Sequence, residues 1–268
     1  MLGLGNTTPQ LYSIAPVYVD NHFITLNGTD EYIDCQDIGN SVSDWSDIHT
    51  EGTISIFAKF STTSTTGTLV RLHKDSSNFI SLYYHASSNT VRTSYRGDGS
   101  TTVAKSSYIV ENTGFWHHIV STWNASGQIK LYIDSVFREA KPGSGTVGTW
   151  DTTGGDIEDV HIGQNTLDST FFKGSVNDFS LWKRELPLSD IQKIGLTTSP
   201  ERTTELTTIG PLQPRDELIA YYKFEDIYSV SGGYTTTVRN HAARYAANTG
   251  LLVNTPAIGT HLNMGMIL

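Results

Sequence analysis

Residues Phe115–Ser135 read FWHHIVSTWNASGQIKLYIDS. The stretch predicts two strands, Phe115–Trp123 and Gln128–Asp134, around the turn Asn124-Ala125-Ser126-Gly127. Asn and Gly between β-rich runs tolerate the positive φ that a tight reversal needs. In the first strand, Phe115, Ile119 and Trp123 are expected on one face, with Trp116, Val120 and the His118 ring on the other. Large apolar groups on both faces place such a strand inside a sandwich rather than at an edge.

The flanking sequence extends the same pattern. Thr68–His73, Phe79–His85 and Thr90–Arg96 read as strands. They recur about every 8–12 residues with Asp, Ser, Asn and Gly between them, the spacing of an antiparallel sandwich or barrel. In Thr53–Phe60, the alternation puts Ile54, Ile56, Ala58 and Phe60 toward the core. Thr53, Ser55 and Lys59 face out, and Phe57 breaks the pattern. His22–Cys35 reads strand, turn, strand, with Asn27-Gly28-Thr29-Asp30 as the reversal. Downstream, Asp159–Gly163, Gly174–Trp182 and Glu217–Phe224 are strands, with shorter ones at Thr235–Arg239 and Leu251–Val253. One short helix is predicted at Pro187–Ile194, with Ser189 as N-cap, Gln192 in the capping-box position and Gly195 ending it. The fold class is therefore all-β, a two-sheet antiparallel sandwich with one short helix. Residues 1–21 read as an N-terminal arm, 22–196 as the sandwich and 197–268 as an extension whose strands pack on it or on a neighbour.

The 268 residues carry a formal charge of −9, and 17% of them are charged. No Lys/Arg cluster occurs, which argues against nucleic acid or an anionic membrane as partner. Cys35 stands alone, so it forms neither an internal disulfide nor a zinc site by itself. The start MLGLGNTTPQ has no basic n-region, and no stretch approaches the length of a membrane span; neither a signal peptide nor a span is expected.

Four segments in order resemble the laminin-G-like branch of the concanavalin A-like lectin/glucanase superfamily. They are Phe23–Cys35, Gly52–Phe60, Trp116–Asp134 with its W-x-H-[VI] and LYID pieces, and His161–Ile194. The resemblance implies a jelly-roll topology for the sandwich. Residues 217–247 resemble a further segment frequent in the family. That order, with the MLGLGN start, resembles structural proteins of tailed bacteriophages.

Glycoside hydrolases of the superfamily carry E-x-D-x-x-E or E-x-D-x-E on one strand, which sets two carboxylates into one groove. The spacing is absent; the nearest acids, Asp156, Glu158 and Asp159, do not reproduce it, so no catalysis is expected. Adjacent His117 and His118 point to opposite faces and cannot chelate one ion. His73, His85 and His161 form a metal group only if the fold gathers them. The resemblance implies instead a structural calcium ion held by Asp30 and Asp178, with Asn177 as a further oxygen donor; the alternative is that Asp30 caps its turn and Asp178 pairs with a basic neighbour. For glycan, a flat ring on a loop stacks on a sugar face. Trp45, and Trp150 with Asp151, are the candidates, unless each ring tucks under its own loop. Tyr83 and Tyr84 read as one surface and one core residue.

The leading expectation is a non-enzymatic phage virion protein, a homo-oligomeric capsid decoration, head fibre or tail-associated subunit among other virion proteins. The alternative is a lectin-like module that binds a host or surface glycan.

Overall fold

A computed structural model of the chain describes residues 22–35, 48–109, 113–124, 127–142, 147, 150, 157–166, 170–195, 217–224, 227–229, 236–239, 242 and 249–260. Of residues 105–109, 227–229, 236–238, 249 and 260, only the backbone is described. The expected arm, 1–21, and the candidates Trp45 and Asp151 lie outside these residues.

In chain order the strands are β1 His22–Asn27, β2 Tyr32–Asp34, β3 Glu51–Phe60, β4 Gly67–His73, β5 Phe79–His85 and β6 Thr90–Gly97. Then follow β7 Ser100–Ile109, β8 Trp116–Asn124, β9 Ile129–Ile133, β10 Val136–Lys141, β11 Asp159–Ile162 and β12 Lys173–Trp182. Helix α1, Leu188–Ile194, precedes β13 Leu218–Tyr222, β14 Ile227–Ser229, β15 Thr236–Arg239, β16 Thr249–Val253 and β17 Ala257–Thr260. The first sheet runs β10-β9-β8-β3-β12-β1-β17, with β13 also on β12. The second runs β14-β15-β16-β2-β11-β4-β5-β6-β7. The sheet pairings are antiparallel, so the all-β, two-sheet antiparallel sandwich of the jelly-roll kind stands.

Strand β8 lies between β3 and β9, inside its sheet. Its Ile119 and Trp123 are fully buried, whereas Phe115, one residue before the strand, is 61% exposed. The expectation that Phe115 shares the buried face fails because strand pairing begins only at Trp116, opposite Lys59. Ile54, Ile56, Ala58 and Phe60 are buried on the inner face of β3 as their alternation requires. Between the sheets, the Thr93 and Ser121 hydroxyls bond at 2.6 Å. The Trp123 indole donates to the Ile48 carbonyl at 2.6 Å, and the Tyr95 hydroxyl to that of His49 at 2.7 Å. These buried polar atoms thus replace their water partners.

The outward residues of β3 are not exposed. Thr53 and Ser55 are fully buried, since the segment from Lys183 through α1 lies over them. Thr53 Oγ1 donates to the Arg184 carbonyl at 2.7 Å and accepts the Leu186 N–H at 2.9 Å. Phe57 stacks on the His118 ring at 4.7 Å, and His118 Nε2 meets Ser55 Oγ at 2.8 Å. Helix α1 begins differently from the capping-box reading. Pro187, not Ser189, is the N-cap, in extended geometry and without a side-chain cap bond. Proline's fixed φ fits this extended N-cap, and its carbonyl accepts the Asp190 and Ile191 N–H groups. Gly195 does end the helix, and a Cβ there would stand 2.3 Å from His118 Nδ1. The first sheet is therefore covered on both faces along much of its length.

Gly52 illustrates how closely this packs. A Cβ on it would lie 2.2 Å from Cζ2 of the Trp123 ring. Gly52→Ala should cost about 1–3 kcal/mol by overpacking and lower the thermal midpoint in a calorimetric scan. An unchanged midpoint would show that Trp123 has room to move.

Candidate functional site

The second sheet keeps an open outer face. Strict alternation in β5 and β6 turns Ile80, Leu82, Tyr84, Val91, Thr93 and Tyr95 inward, where all are buried. The intervening residues face out in register: Phe79 opposite Arg96, Ser81 opposite Ser94, Tyr83 opposite Arg92. Tyr84 is thus the core residue of the tyrosine pair and Tyr83 the half-buried surface one.

Strand β4 contributes through an irregularity. Its pairing with β5 shifts between Thr68 and Val70, so one extra residue is accommodated there. Such a bulge breaks the two-residue period. Leu69 and Val70 can both be buried, and Thr68 and Arg71 both reach the outer face. The Arg71 guanidinium lies over the Phe79 ring, 3.5 Å from its centroid. The contact limits the rotamer freedom of the cation.

These side chains line a cleft of about 250 Å³. Arg71, Ser81 and Ser94 form its floor, and Phe79 and Tyr83 its ends. Thr101 and Val103 of β7 border one side; Thr66, Asn165 and Thr170 border the other. The lining combines two aromatic rings, a row of hydroxyls, an amide and one guanidinium. That mixture offers apolar faces for stacking and directional donors and acceptors, the requirements for holding a polar, multiply hydroxylated ligand.

Beyond β4, histidines and acids alternate. His73 Nδ1 lies 3.7 Å from Asp159 Oδ2, and His161 Nε2 lies 3.6 Å from Asp34 Oδ1. Arg71 sits opposite His161 in the register, one row from His73. A guanidinium at that point opposes a bound cation. His85 is elsewhere, against the Ser87 and Ser88 hydroxyls at 3.1 Å. Among the described residues no three His, Cys, Asp or Glu side chains gather into a metal-holding group. His117 and His118 also separate as their strand alternation requires: Nδ1 of His117 bonds Asp134 Oδ2 at 2.9 Å, while His118 lies on Phe57.

The carboxylates implied for calcium do not meet. Asp30 belongs to the turn after β1, where Asn27 Nδ2 donates to its Oδ1 at 2.8 Å and Asn27 Oδ1 takes the backbone N–H groups of Thr29 and Asp30. Asp178 is buried in β12, five residues beyond Lys173, the partner of Asn27. Five strand residues span roughly 16 Å. The oxygens of Asn27 and Asp30 serve the turn, and the pair does not supply one calcium shell. Trp150 is 3% exposed, with its ring 5.8 Å from that of Tyr95 and 5.9 Å from that of His49. It is packed against the core and offers no open face to a sugar; of the two readings weighed for it, the structure has the tucked one.

The laminin-G-type model of the Concanavalin A-like lectin/glucanases superfamily matches residues 27–192. The chain belongs to this superfamily. Among solved structures, it is similar to a Bacteroides ovatus ATCC 8483 protein provisionally named for carbohydrate binding. That match has a TM-score of 0.59 and 12% identity, covering 91% of this chain and 61% of the other. The chain thus spans about three fifths of that protein's length. It is also similar to the Ruminococcus gnavus IT-sialidase CBM40 bound to α2,3-sialyllactose, with a TM-score of 0.52 and 14% identity over 66% of this chain and all of that one (100%). A third similar structure is the heptameric SAP-like pentraxin of Limulus polyphemus, with a TM-score of 0.50 and 14% identity over 69% of this chain and 85% of that one. At these identities the likeness is one of fold. No curated protein matches the sequence.

His73, beside the cleft, is held away from its charged form. Burial lowers the pKa of His73 below the ordinary value of 6.5, and the charge of Arg71 lowers it further, against a smaller opposing pull from Asp159. The folded state thus resists protonating His73. Its contribution is intact above the unfolded value and is lost as pH falls through the depressed folded value. Urea midpoints measured at pH 7.5 and pH 5.5 should therefore fall more for the native chain than for His73→Asn. Equal falls would show that His73 does not sense the fold.

Proposed function

We propose that this domain binds glycans without cleaving them, through the cleft on the outer face of β4–β7. The observation that carries the reading is the lining itself: Phe79 and Tyr83 face outward four residues apart on one rigid strand, with Ser81, Ser94 and Arg71 between them. The Tyr83 ring and the Phe79–Arg71 stack, roughly 13 Å apart along a strand, suit successive contacts with an extended oligosaccharide. The hydroxyls and the amide of Asn165 supply the partners that sugar hydroxyls need. Two of the similar folds, from Bacteroides ovatus and Ruminococcus gnavus, are named as carbohydrate binders, which supports the reading. The lack of the paired-carboxylate spacing in the sequence supports binding without hydrolysis.

A second proposal concerns setting. The order of family segments and the MLGLGN start favour a virion subunit of a tailed phage, presenting this face to a surface glycan. Mass spectrometry of purified particles checks it, and absence of the chain from them would overturn it.

The glycan reading is tested on a glycan array followed by calorimetric titration. Binding is expected, and Phe79→Ala and Tyr83→Ala should each weaken it roughly tenfold, about 1.4 kcal/mol. No binding to any glycan, or binding indifferent to both substitutions, would remove the cleft from consideration. Release of reducing ends from a bound glycan would overturn the non-enzymatic part.

A further inference from the structure

We infer that the glycan received by this cleft is anionic, carrying carboxylate or sulfate groups that Arg92 and Arg96 bind. The inference rests on the glycan-binding reading above and narrows its ligand class.

The whole chain has a formal charge of −9, yet the outer face of β4–β6 carries Arg71, Arg92 and Arg96. Asp and Glu do not occur among the residues lining the cleft. The two arginines of β6 flank it, each directly across from one of its aromatic rings: Arg92 from Tyr83 and Arg96 from Phe79. They are four residues apart on one face of one strand, roughly 13 Å, with Ser94 between them.

Their charges are not matched by acids among the described residues. Arg92 donates from Nε to Thr90 Oγ1 at 3.3 Å and from Nη2 to Ser88 Oγ at 2.9 Å. Both acceptors are neutral, so they orient the guanidinium and leave its charge in place. Arg96 lies 5.8 Å from the Phe79 centroid, and its buried Nε has no hydrogen-bond partner. A half-buried guanidinium of this kind gains from a carboxylate or sulfate, which accepts from its fork at two points.

The nearest acids stand at the strand ends, outside the cleft lining: Asp159 lies 3.7 Å from His73, Asp34 lies 3.6 Å from His161, and Asp98 is exposed in the β6–β7 turn. Asp75 accepts the Ser77 N–H at 2.7 Å and the Asn78 N–H at 2.8 Å, which closes the β4–β5 turn and holds its carboxyl below the usual range despite some burial. The face thus presents local positive charge on an acidic body. Such a patch attracts an anionic ligand, while the negative remainder disfavours unspecific contact with polyanions.

The test is calorimetric titration of the full chain with two matched pairs: tetragalacturonate against its carboxyl-reduced form, and κ-carrageenan tetrasaccharide against its desulfated form. The anionic member of at least one pair should bind tenfold or more tightly than its neutral match; the pair that responds tells carboxylate from sulfate. Arg92→Gln and Arg96→Gln should each lose about tenfold for that member, and added salt should weaken it. Lys59→Gln, on the outer face of the other sheet, should leave it unchanged, and melting curves confirm that all variants fold. Equal affinity within both pairs, or a preference for the neutral members, overturns the anionic class and leaves glycan binding standing. Failure of all four probes together with an empty glycan array overturns both.

Discussion

Strand β12 is hydrogen-bonded along one edge to β3 and along the other first to β1 and then to β13. One strand can serve three partners because it changes direction part-way. Between Asn177 and Ser180 its pairing with β3 gains one residue, and Asp178 takes φ +48°. Asp is among the few residues other than Gly that enter this region readily. The Asn177 side chain accepts the Asp178 N–H at 2.8 Å, which fixes the kink. Every residue from Gly174 to Trp182 is buried. Past the bulge, β13 pairs with β12 from Phe179 to Trp182.

That kink also decides where function can reside. Past it, β12 runs into the Lys183–Gly195 segment, which returns over the first sheet. Arg184 joins that segment to Glu217 at 2.8 Å and pairs within it with Asp190 at 3.3 Å, while Lys130 reaches Glu185 at 2.5 Å. These ion pairs are partly exposed, and each is worth little alone. The apolar burial of Leu186, Ile191 and Ile194 beneath the segment contributes more. With much of the first sheet covered on both sides, the second sheet keeps an open outer face across β4–β7. The outward Tyr83, Arg92 and Arg96 of β5 and β6 are only half-buried there.

The sequence makes the first sheet's centre legible and hides much of its periphery. Trp116–Asn124 and Glu51–Phe60 announce themselves by alternation, and the Asn27-Gly28 and Asn124–Gly127 reversals by their residue types. Strand β7 has no such signature, since Ser, Thr and Lys dominate Ser100–Ile109. Strand β10 is obscured by its turn: Asp134 and Ser135 both have positive φ without a glycine. The turn survives because the Asp134 carboxylate holds His117 Nδ1 at 2.9 Å and the His118 N–H at 3.0 Å, contacts made across the hairpin and invisible in a linear reading. Trp150 was open to two readings for a similar reason, because its neighbours Tyr95 and His49 are distant in the chain. The cleft escaped because alternation shows which residues share a face but not which face remains uncovered. The β4 bulge, which brings Thr68 and Arg71 to one side, breaks the very period that would have pointed to them.

A β face of this kind is well suited to selectivity. Its cross-strand neighbours are fixed by the hydrogen-bond ladder, so Phe79, Ser81 and Tyr83 hold their spacing without a ligand. Arg71 is immobilised by its stack on Phe79, and Arg92 by two hydroxyls. Little side-chain entropy remains to be lost on binding, and the enthalpy of each contact is kept. On the proposed glycan reading, the same rigidity limits the ligand. A chain whose sugar spacing does not match two rings on one strand gains only one stacking contact, and a charge in the wrong place must be desolvated without a partner. Discrimination on this surface therefore follows from the two-residue period of the strand, which sets where each ring and each cation can stand.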